Sequence, residues 1–275
     1  MASLWAPKRR IEQAYQRSLR SAMQSLANLL AGLNDPSEII RAMRAFANSK
    51  GFLAYAQATA MKMVTHLFSD SGRTWRQAAA KNSQGRRIYE ALQKELAGPL
   101  GAAVMHQVNR NAELIGSMPL DLARKATQHI LEESLKGTRS SSIAEQLKLL
   151  FPDMSNAQAA LIARTESSKT STALTEARSL GMGVHWYVWK TSEDSRVRDS
   201  HARMDGVLVN WNDPPSPELL DGMKSYGHYH CGGIFNCRCY PEPVIDLDLI
   251  AWPAKVYRNG SITRMTRKQF EQIAA

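Results

Sequence analysis

The stretch Gly181-Met-Gly-Val-His-Trp-Tyr-Val-Trp-Lys-Thr191 decides the fold, because the chain changes character across it. Upstream, from residue 8 to about 180, apolar residues recur at helical spacing. Within the quoted run, aromatic and β-branched residues follow one another without helical period, which reads as a strand. Val207-Leu-Val-Asn-Trp211, after an Asp205-Gly206 turn, reads as a second strand, and Tyr240 to Ile245 as a third. The expected class is α+β and predominantly α-helical: a long helical N-terminal region, then a small α+β module with a few short strands.

The helical part can be read in pieces. Ile11, Tyr15, Ser18, Ala22, Leu26, Leu29 and Leu33 make a nearly heptad seam that Gly32 and Asn34 end. Asp35-Pro36-Ser37-Glu38 predicts a helix start, with Asp as cap and Pro in the first turn. Gly51, Gly72, Gly85, Gly98-Pro99, Met118-Pro119 and Pro152 to Ser155 are read as breaks between further helices, the last running to about Leu180. A final helix is expected within 260–275, capped by Thr263 or Thr266. Three divisions follow: 1–140 as a basic helical region, 141–250 as the compact module, and 251–275 as a tail with a short helix.

Composition narrows the function classes. The 275 residues are 44% hydrophobic and 22% charged, which suits a folded, core-forming chain. Residues 1–110 carry 16 Lys/Arg against 6 Asp/Glu, so the whole net charge of +10 sits there, and the remainder cancels at 19 of each. Lys8, Arg9, Arg10, Arg17, Arg20, Arg41 and Arg44 would present stripes to phosphates, a contact with double-stranded DNA that is salt-sensitive and indifferent to sequence. The alternative is a solvated face. No recognition-helix pattern or phosphate loop is present. No window approaches ~18 uninterrupted apolar residues, so no membrane span is expected. The N-terminus lacks an apolar run behind its charges, which argues against a signal peptide.

All three cysteines fall between Cys231 and Cys239, beside His228 and His230, with His201 upstream. An odd count precludes a closed disulfide framework within one chain and points to a reducing compartment, where a Cys/His group more often binds metal. The alternative is that the cysteines are simply buried and His228 and His230 are solvated loop residues. His201, Cys231, Cys237 and Cys239 would give a structural zinc its four ligands, with His201 tying two segments together. The single residue between Cys237 and Cys239 is tighter than the usual knuckle spacing. In Glu193 to His201, Asp194 can cap a short helix, and Arg196 and Arg198 can pair with carboxylates to lock the module. The same run also admits a zinc-dependent nuclease or other hydrolase, with His201, Asp199 and Asp194 as working groups. No nucleophile or oxyanion element accompanies them, and no catalytic residue is assigned. Arg164-Thr165-Glu166, on the last long helix, reads by default as a solvated or ion-paired triplet. Trp186, Trp189 and Trp211 read as core.

Taken in order, these pieces resemble the phage Mu F-like, SPP1-type family of minor head proteins. The matching residues are Ala163-Arg164-Thr165-Glu166 with Ala173 and Ala177, then Trp189, Asp194, Arg196, Val197, Arg198, His201, Gly206, and Cys237-Arg238-Cys239 followed by Pro241. The resemblance covers about 140–245. It departs just before Cys237, where Phe235-Asn236 replaces the family's usual histidine or proline. The resemblance implies a minor capsid protein of a tailed bacteriophage, not an enzyme, made in the host cytoplasm and carried in the virion inside the head near the portal. The portal protein and the major capsid or scaffold proteins would be its partners in procapsid assembly, with packaged DNA touched non-specifically and a role in packaging or ejection.

Overall fold

The computed structural model describes residues 3–81, 85–95 and 99–274. Its order is α1 (Arg9–Leu30), α2 (Pro36–Ala47), α3 (Lys50–Ala80), α4 (Gly85–Lys94), α5 (Pro99–Leu135), α6 (Ser140–Gly181), β1 (Trp186–Lys190), α7 (Asp199–Met204), β2 (Leu208–Asn210), α8 (Pro217–Leu220), β3 (Tyr240–Pro243), β4 (Ala254–Arg258), β5 (Ser261–Met265) and α9 (Arg267–Ala274). The chain is α+β and mostly helical, as its sequence predicts. Two compact units are discontinuous in sequence. One comprises Arg9–Val64 and His106–Ala163; the other comprises Met1–Lys8, Thr65–Met105 and Arg164–Ala275.

The first unit is helical throughout. Along α1 the buried residues are Ile11, Tyr15, Leu19, Ala22, Met23, Leu26 and Leu30, while Leu29 stays 59% exposed. Ile11, Tyr15, Ala22 and Leu26 of the expected seam are thus buried as read, while Leu19, Met23 and Leu30 take the places expected of Ser18 and Leu29. A straight helix at 3.6 residues per turn drifts about 20° per heptad away from a 3.5-residue repeat, and the buried stripe follows the helix. The start of α2 is as read. Asp35 accepts from the amides of Ser37 (2.8 Å) and Glu38 (3.2 Å), with Pro36 in the first turn.

Several expected breaks are absent. Gly72 lies inside α3, Pro119 inside α5 and Pro152 inside α6. An internal proline costs roughly 3 kcal/mol. Around Pro119, however, Ile115, Met118 and Leu122 are all fully buried, and each such side chain returns about 1.5–3 kcal/mol. Packing on both sides outweighs one lost backbone bond. Gly72 continues α3, and a Cβ there would make only an ordinary contact, 3.4 Å from Arg178 Nη2. Arg178 is itself buried, paired with Glu95 at 2.8 Å and bonded to the Phe68 carbonyl. The expected break at Gly98 lies outside the described residues.

The second unit is built on a five-stranded sheet of order β3-β1-β2-β4-β5. β1 is central to three antiparallel strands, with Tyr187 opposite Val209 on one side and Pro243 on the other; β2 and β4 are parallel. Tyr187 and Trp189 enter one core with Val207, Val209, Trp211 and all three cysteines. Trp186 and Val188 enter another with Leu208, Val256 and Phe270. Burial on both faces is why this strand shows no polar alternation. The tryptophans are core, as expected.

β4 and β5 are strands that the sequence did not lead us to expect. They form a hairpin across Asn259-Gly260, both at positive φ (47° and 79°), the dipeptide and geometry of a two-residue turn. The final helix starts at Arg267, directly after Thr266, the second of the two expected caps. Thr266 and Gln269 close its start reciprocally: Gln269 Oε1 accepts from the Thr266 amide at 2.8 Å, and Thr266 Oγ1 from the Gln269 amide at 3.4 Å.

Candidate metal centre

His201 is carried on α7, the short helix that follows β1. Asp194 does not cap that helix. It closes the turn before it, accepting from the Arg196 amide at 3.0 Å and pairing with the guanidiniums of Arg196 (3.1 Å) and Arg238 (3.7 Å). Slight burial opposes ionisation, but the Arg196 amide and the two arginines hold the Asp194 carboxyl below its ordinary range. Arg198 donates to the Phe235 carbonyl at 3.1 Å and stacks over the Phe235 ring at 4.8 Å. Asp194, through Arg238, and Arg198, through Phe235, thus touch the cysteine loop. Of the two arginines expected to pair with carboxylates, Arg196 does so with Asp194, while Arg198 bonds a backbone carbonyl instead.

The cysteine loop is clasped from the other side by α6. Arg164 Nη1 donates to Asn236 Oδ1 at 2.6 Å, and the Asn236 amide donates to Thr165 Oγ1 at 3.0 Å. Thr172 Oγ1 donates to the Cys231 carbonyl at 2.8 Å. Gly232 has φ +79°, and a Cβ there would meet Thr172 Oγ1 at 2.6 Å, the Cys239 carbonyl at 2.8 Å and Ser168 Oγ at 2.8 Å. Arg164 and Thr165 thus clamp the loop. Of the solvated or ion-paired triplet that the sequence suggested by default, the ion pair is present, Glu166 lying 3.8 Å from Lys169, but Thr165 and Glu166 are buried, not solvated. Thr165, Ser168 and Thr172 recur at helical spacing on one face. That hydroxyl stripe was the signal of the clamp that the sequence did offer.

The clamp brings three donors together. His201 Nδ1 lies 3.5 Å from Cys237 Sγ and 3.4 Å from Cys239 Sγ, and the three donor atoms are all within 4.8 Å of one another. Zinc bonds of about 2.3 Å to sulfur and 2.0–2.1 Å to nitrogen at tetrahedral angles put an N···S edge near 3.5 Å. The donor set fits such an ion in both chemistry and spacing. His201, Cys237 and Cys239 are 1%, 4% and 2% exposed, so the position is shut off from solvent. The Cys239 amide also donates to Cys237 Sγ at 3.3 Å, as suits a thiolate. The Cys239 thiol's hydrogen bond pulls Cys237 below the ordinary thiol range, with His201 helping and burial opposing. Cys239 is driven up by its bond to Cys237 and by burial.

The other named residues fall elsewhere. Cys231 is buried in the same apolar cluster but lies outside the three-donor group, its thiol raised by burial and by charge on Cys237. His230 Nδ1 sits 3.1 Å from the Tyr187 hydroxyl, and burial lowers that imidazole to about 4. His228 is exposed and reaches the Pro214 carbonyl. Asp199 is exposed and Asp194 is engaged with arginines, so the three groups of the hydrolase reading do not converge. Two residues that no spacing signalled stand behind His201. Its Nε2 lies 3.0 Å from the Tyr229 hydroxyl, which donates to Glu218 Oε1 at 2.6 Å.

Residues 125–241 match the family described as phage Mu protein F like protein. The chain is 32% identical over 159 residues to an uncharacterized protein of Haemophilus influenzae, which covers 58% of this chain and 32% of that one. It is 26% identical over 164 residues to minor head protein GP7 of Bacillus phage SPP1, covering 57% of this chain and 50% of that one. The chain thus spans a third to a half of the length of these relatives. No solved structure matches it at a comparable level. Among the described residues, no helix is long and apolar enough to cross a membrane. The matched segment contains the α6 clamp, β1, α7 and the cysteine loop, and over it the chain is similar to the phage Mu F-like family.

Proposed function

We propose that the chain is a head-morphogenesis protein: a minor capsid component that joins the procapsid near the portal and holds its neighbours instead of transforming them. The observation that carries this is where the matched segment spends its polar residues. Arg164, Thr165, Arg198, His201, Cys237 and Cys239 are committed to internal contacts, and the last two with His201 are buried. A hydrolytic centre needs an open coordination position that its substrate can reach; this group is enclosed. The name of the SPP1 relative, minor head protein, supports the same reading.

Within it, a zinc ion is held by His201, Cys237 and Cys239 and acts structurally, fixing the cysteine loop to α7. When bound, such an ion contributes folding free energy to a small module. The divisions 1–140, 141–250 and 251–275 serve, in turn, contact with the portal, capsid or packaged DNA, the family module, and a closing segment. Arg9, Arg17, Arg20, Arg41 and Arg44 are exposed on α1 and α2, which supports a phosphate-facing role. Mass spectrometry of washed procapsids and virions of the phage that encodes the chain tests the proposal. The chain is expected in both, at few copies and in fixed ratio to the portal; absence from both overturns it.

A further inference from the structure

We infer that Glu218 and Tyr229 form a positioning relay that holds His201 in the one tautomer able to present Nδ1 to a metal. This rests on the metal reading proposed for His201, Cys237 and Cys239, and adds to it two residues outside the donor set. A neutral imidazole carries its proton on one nitrogen, and the nitrogen without it is the ligand. Which one is free depends on the partner of the other.

The geometry around His201 fixes that partner. Tyr229 has a single hydroxyl proton, and its oxygen lies 2.6 Å from Glu218 Oε1, a carboxylate oxygen that can only accept. The proton therefore points at Glu218, and the tyrosine oxygen faces His201 Nε2 at 3.0 Å as an acceptor. Nε2 must then carry the hydrogen, leaving the Nδ1 lone pair toward Cys237 and Cys239. Glu218 is held in turn by Ser200 Oγ at 3.4 Å, one residue from His201 on α7. Glu218 is 2% exposed, and a buried carboxylate is costly unless hydrogen-bonded. Its placement here is accounted for by orienting the chain Glu218, Tyr229, His201. Trp189, edge-on to the imidazole at 5.5 Å, fixes the ring plane.

Removing Glu218 has a consequence that simple loss of packing does not. The Tyr229 proton is released to turn toward Nε2, which would become the acceptor and push the imidazole proton onto Nδ1. Glu218→Ala is thus expected to weaken ligation although it touches no donor atom.

Titration of the metal-free chain with Co²⁺, followed by its thiolate-to-cobalt charge-transfer absorption, tests both levels separately. The wild-type chain should show the band, and Cys237→Ala should lose it; a wild-type chain without it overturns the metal reading and the relay with it. Tyr229→Phe and Glu218→Ala should keep the band at saturation but bind Co²⁺ about 10–100-fold more weakly. Wild-type affinity in both variants overturns the relay while leaving the metal site standing. Thermal unfolding with and without chelator separates positioning from packing. The relay predicts that the variants lose mainly the metal-dependent part of the stability. An equal loss in the chelated chain, with unchanged Co²⁺ affinity, overturns it. If Tyr229→Phe does not fold, Glu218→Ala alone decides between these outcomes.

Discussion

Gly232 combines two demands that usually occur apart: a left-handed backbone, and contact on the side where a Cβ would project. A non-glycine residue at such a φ costs roughly 1–2 kcal/mol, and here the added methyl would also press on the Cys239 carbonyl and two α6 hydroxyls. Gly206 supplies the control, with φ +76° and nothing within 4 Å of its Cβ position. Gly232→Ala should therefore destabilise by about 2–4 kcal/mol and Gly206→Ala by about 1 kcal/mol, measured by denaturant unfolding. Equal effects would mean that the crowding against α6 is not what holds the loop. The same scale separates the cysteines. Cys231 lies outside the donor group, so Cys231→Ala should leave Co²⁺ affinity unchanged where Cys237→Ala abolishes the thiolate band. Part of this candidate site was legible in sequence: the clustered thiols and His201 pointed to it, although the single residue between Cys237 and Cys239 is tighter than the usual knuckle spacing. The choice among three cysteines was not, because sequence spacing within a nine-residue loop does not say which thiol the loop turns inward. Tyr229 and Glu218 were invisible for a similar reason. Their role comes from a hydrogen-bond chain closed by folding, and nothing in their spacing to His201 encodes it.

Elements show where local signals win and where packing overrules them. Asp35 at the start of α2 is a local signal, and its hydrogen bonds to Ser37 and to the Glu38 amide keep its carboxyl below the ordinary value of 3.8. A carboxyl whose folded pKa is lowered adds stability that is fully present above the unfolded value and disappears as pH falls through the folded one. Acid unfolding below about pH 4 should therefore include a contribution from this cap. Asparagine also caps, so Asp35→Asn should flatten that acid limb while preserving helicity at neutral pH. Asp35→Ala should lower thermal stability at neutral pH; circular dichroism melts across pH read both. Proline and glycine were the misleading signals, since Pro119, Pro152 and Gly72 each read as a break. A proline removes one backbone bond, but it cannot end a helix whose flanking residues are buried on both sides. Gly72 lies beside Arg178, whose pair with Glu95 has side-chain exposures of only 1% and 15%. Breaking a buried pair from one side leaves a charge uncompensated, so Arg178→Ala should cost roughly 3 kcal/mol. The strands β4 and β5 were hard to see although Asn259-Gly260 is a strong turn signal. Thr263 and Thr266 suit helix caps as well as strands, and that double meaning obscures the hairpin.

At the scale of the whole molecule, the distribution of charge matters more than its sum. The entire +10 belongs to residues 1–110, and Arg17, Arg20, Arg41 and Arg44 stand exposed on the first two helices, while the segment 125–241 that is similar to the phage Mu F-like family lies outside that excess. If the basic helices face packaged DNA, affinity should be dominated by release of counterions, with log K falling linearly as log salt rises, by about 0.9 per phosphate neutralised. Replacing Arg17, Arg20, Arg41 and Arg44 with Gln should weaken duplex binding equally for unrelated sequences and lower the slope by up to about 4, roughly one for each arginine replaced. The cobalt band of Cys237 and Cys239 should be untouched, because none of these arginines takes part in the metal centre. A control replacement of Arg258, Arg264 and Arg267, on β4, β5 and α9, should leave the slope where it was. Fluorescence anisotropy across about 50 to 300 mM salt, the range over which such binding is steepest, reads all of these. A slope that stays constant in the four-arginine variant would assign those helices to protein neighbours in the procapsid and leave DNA to other parts of the head.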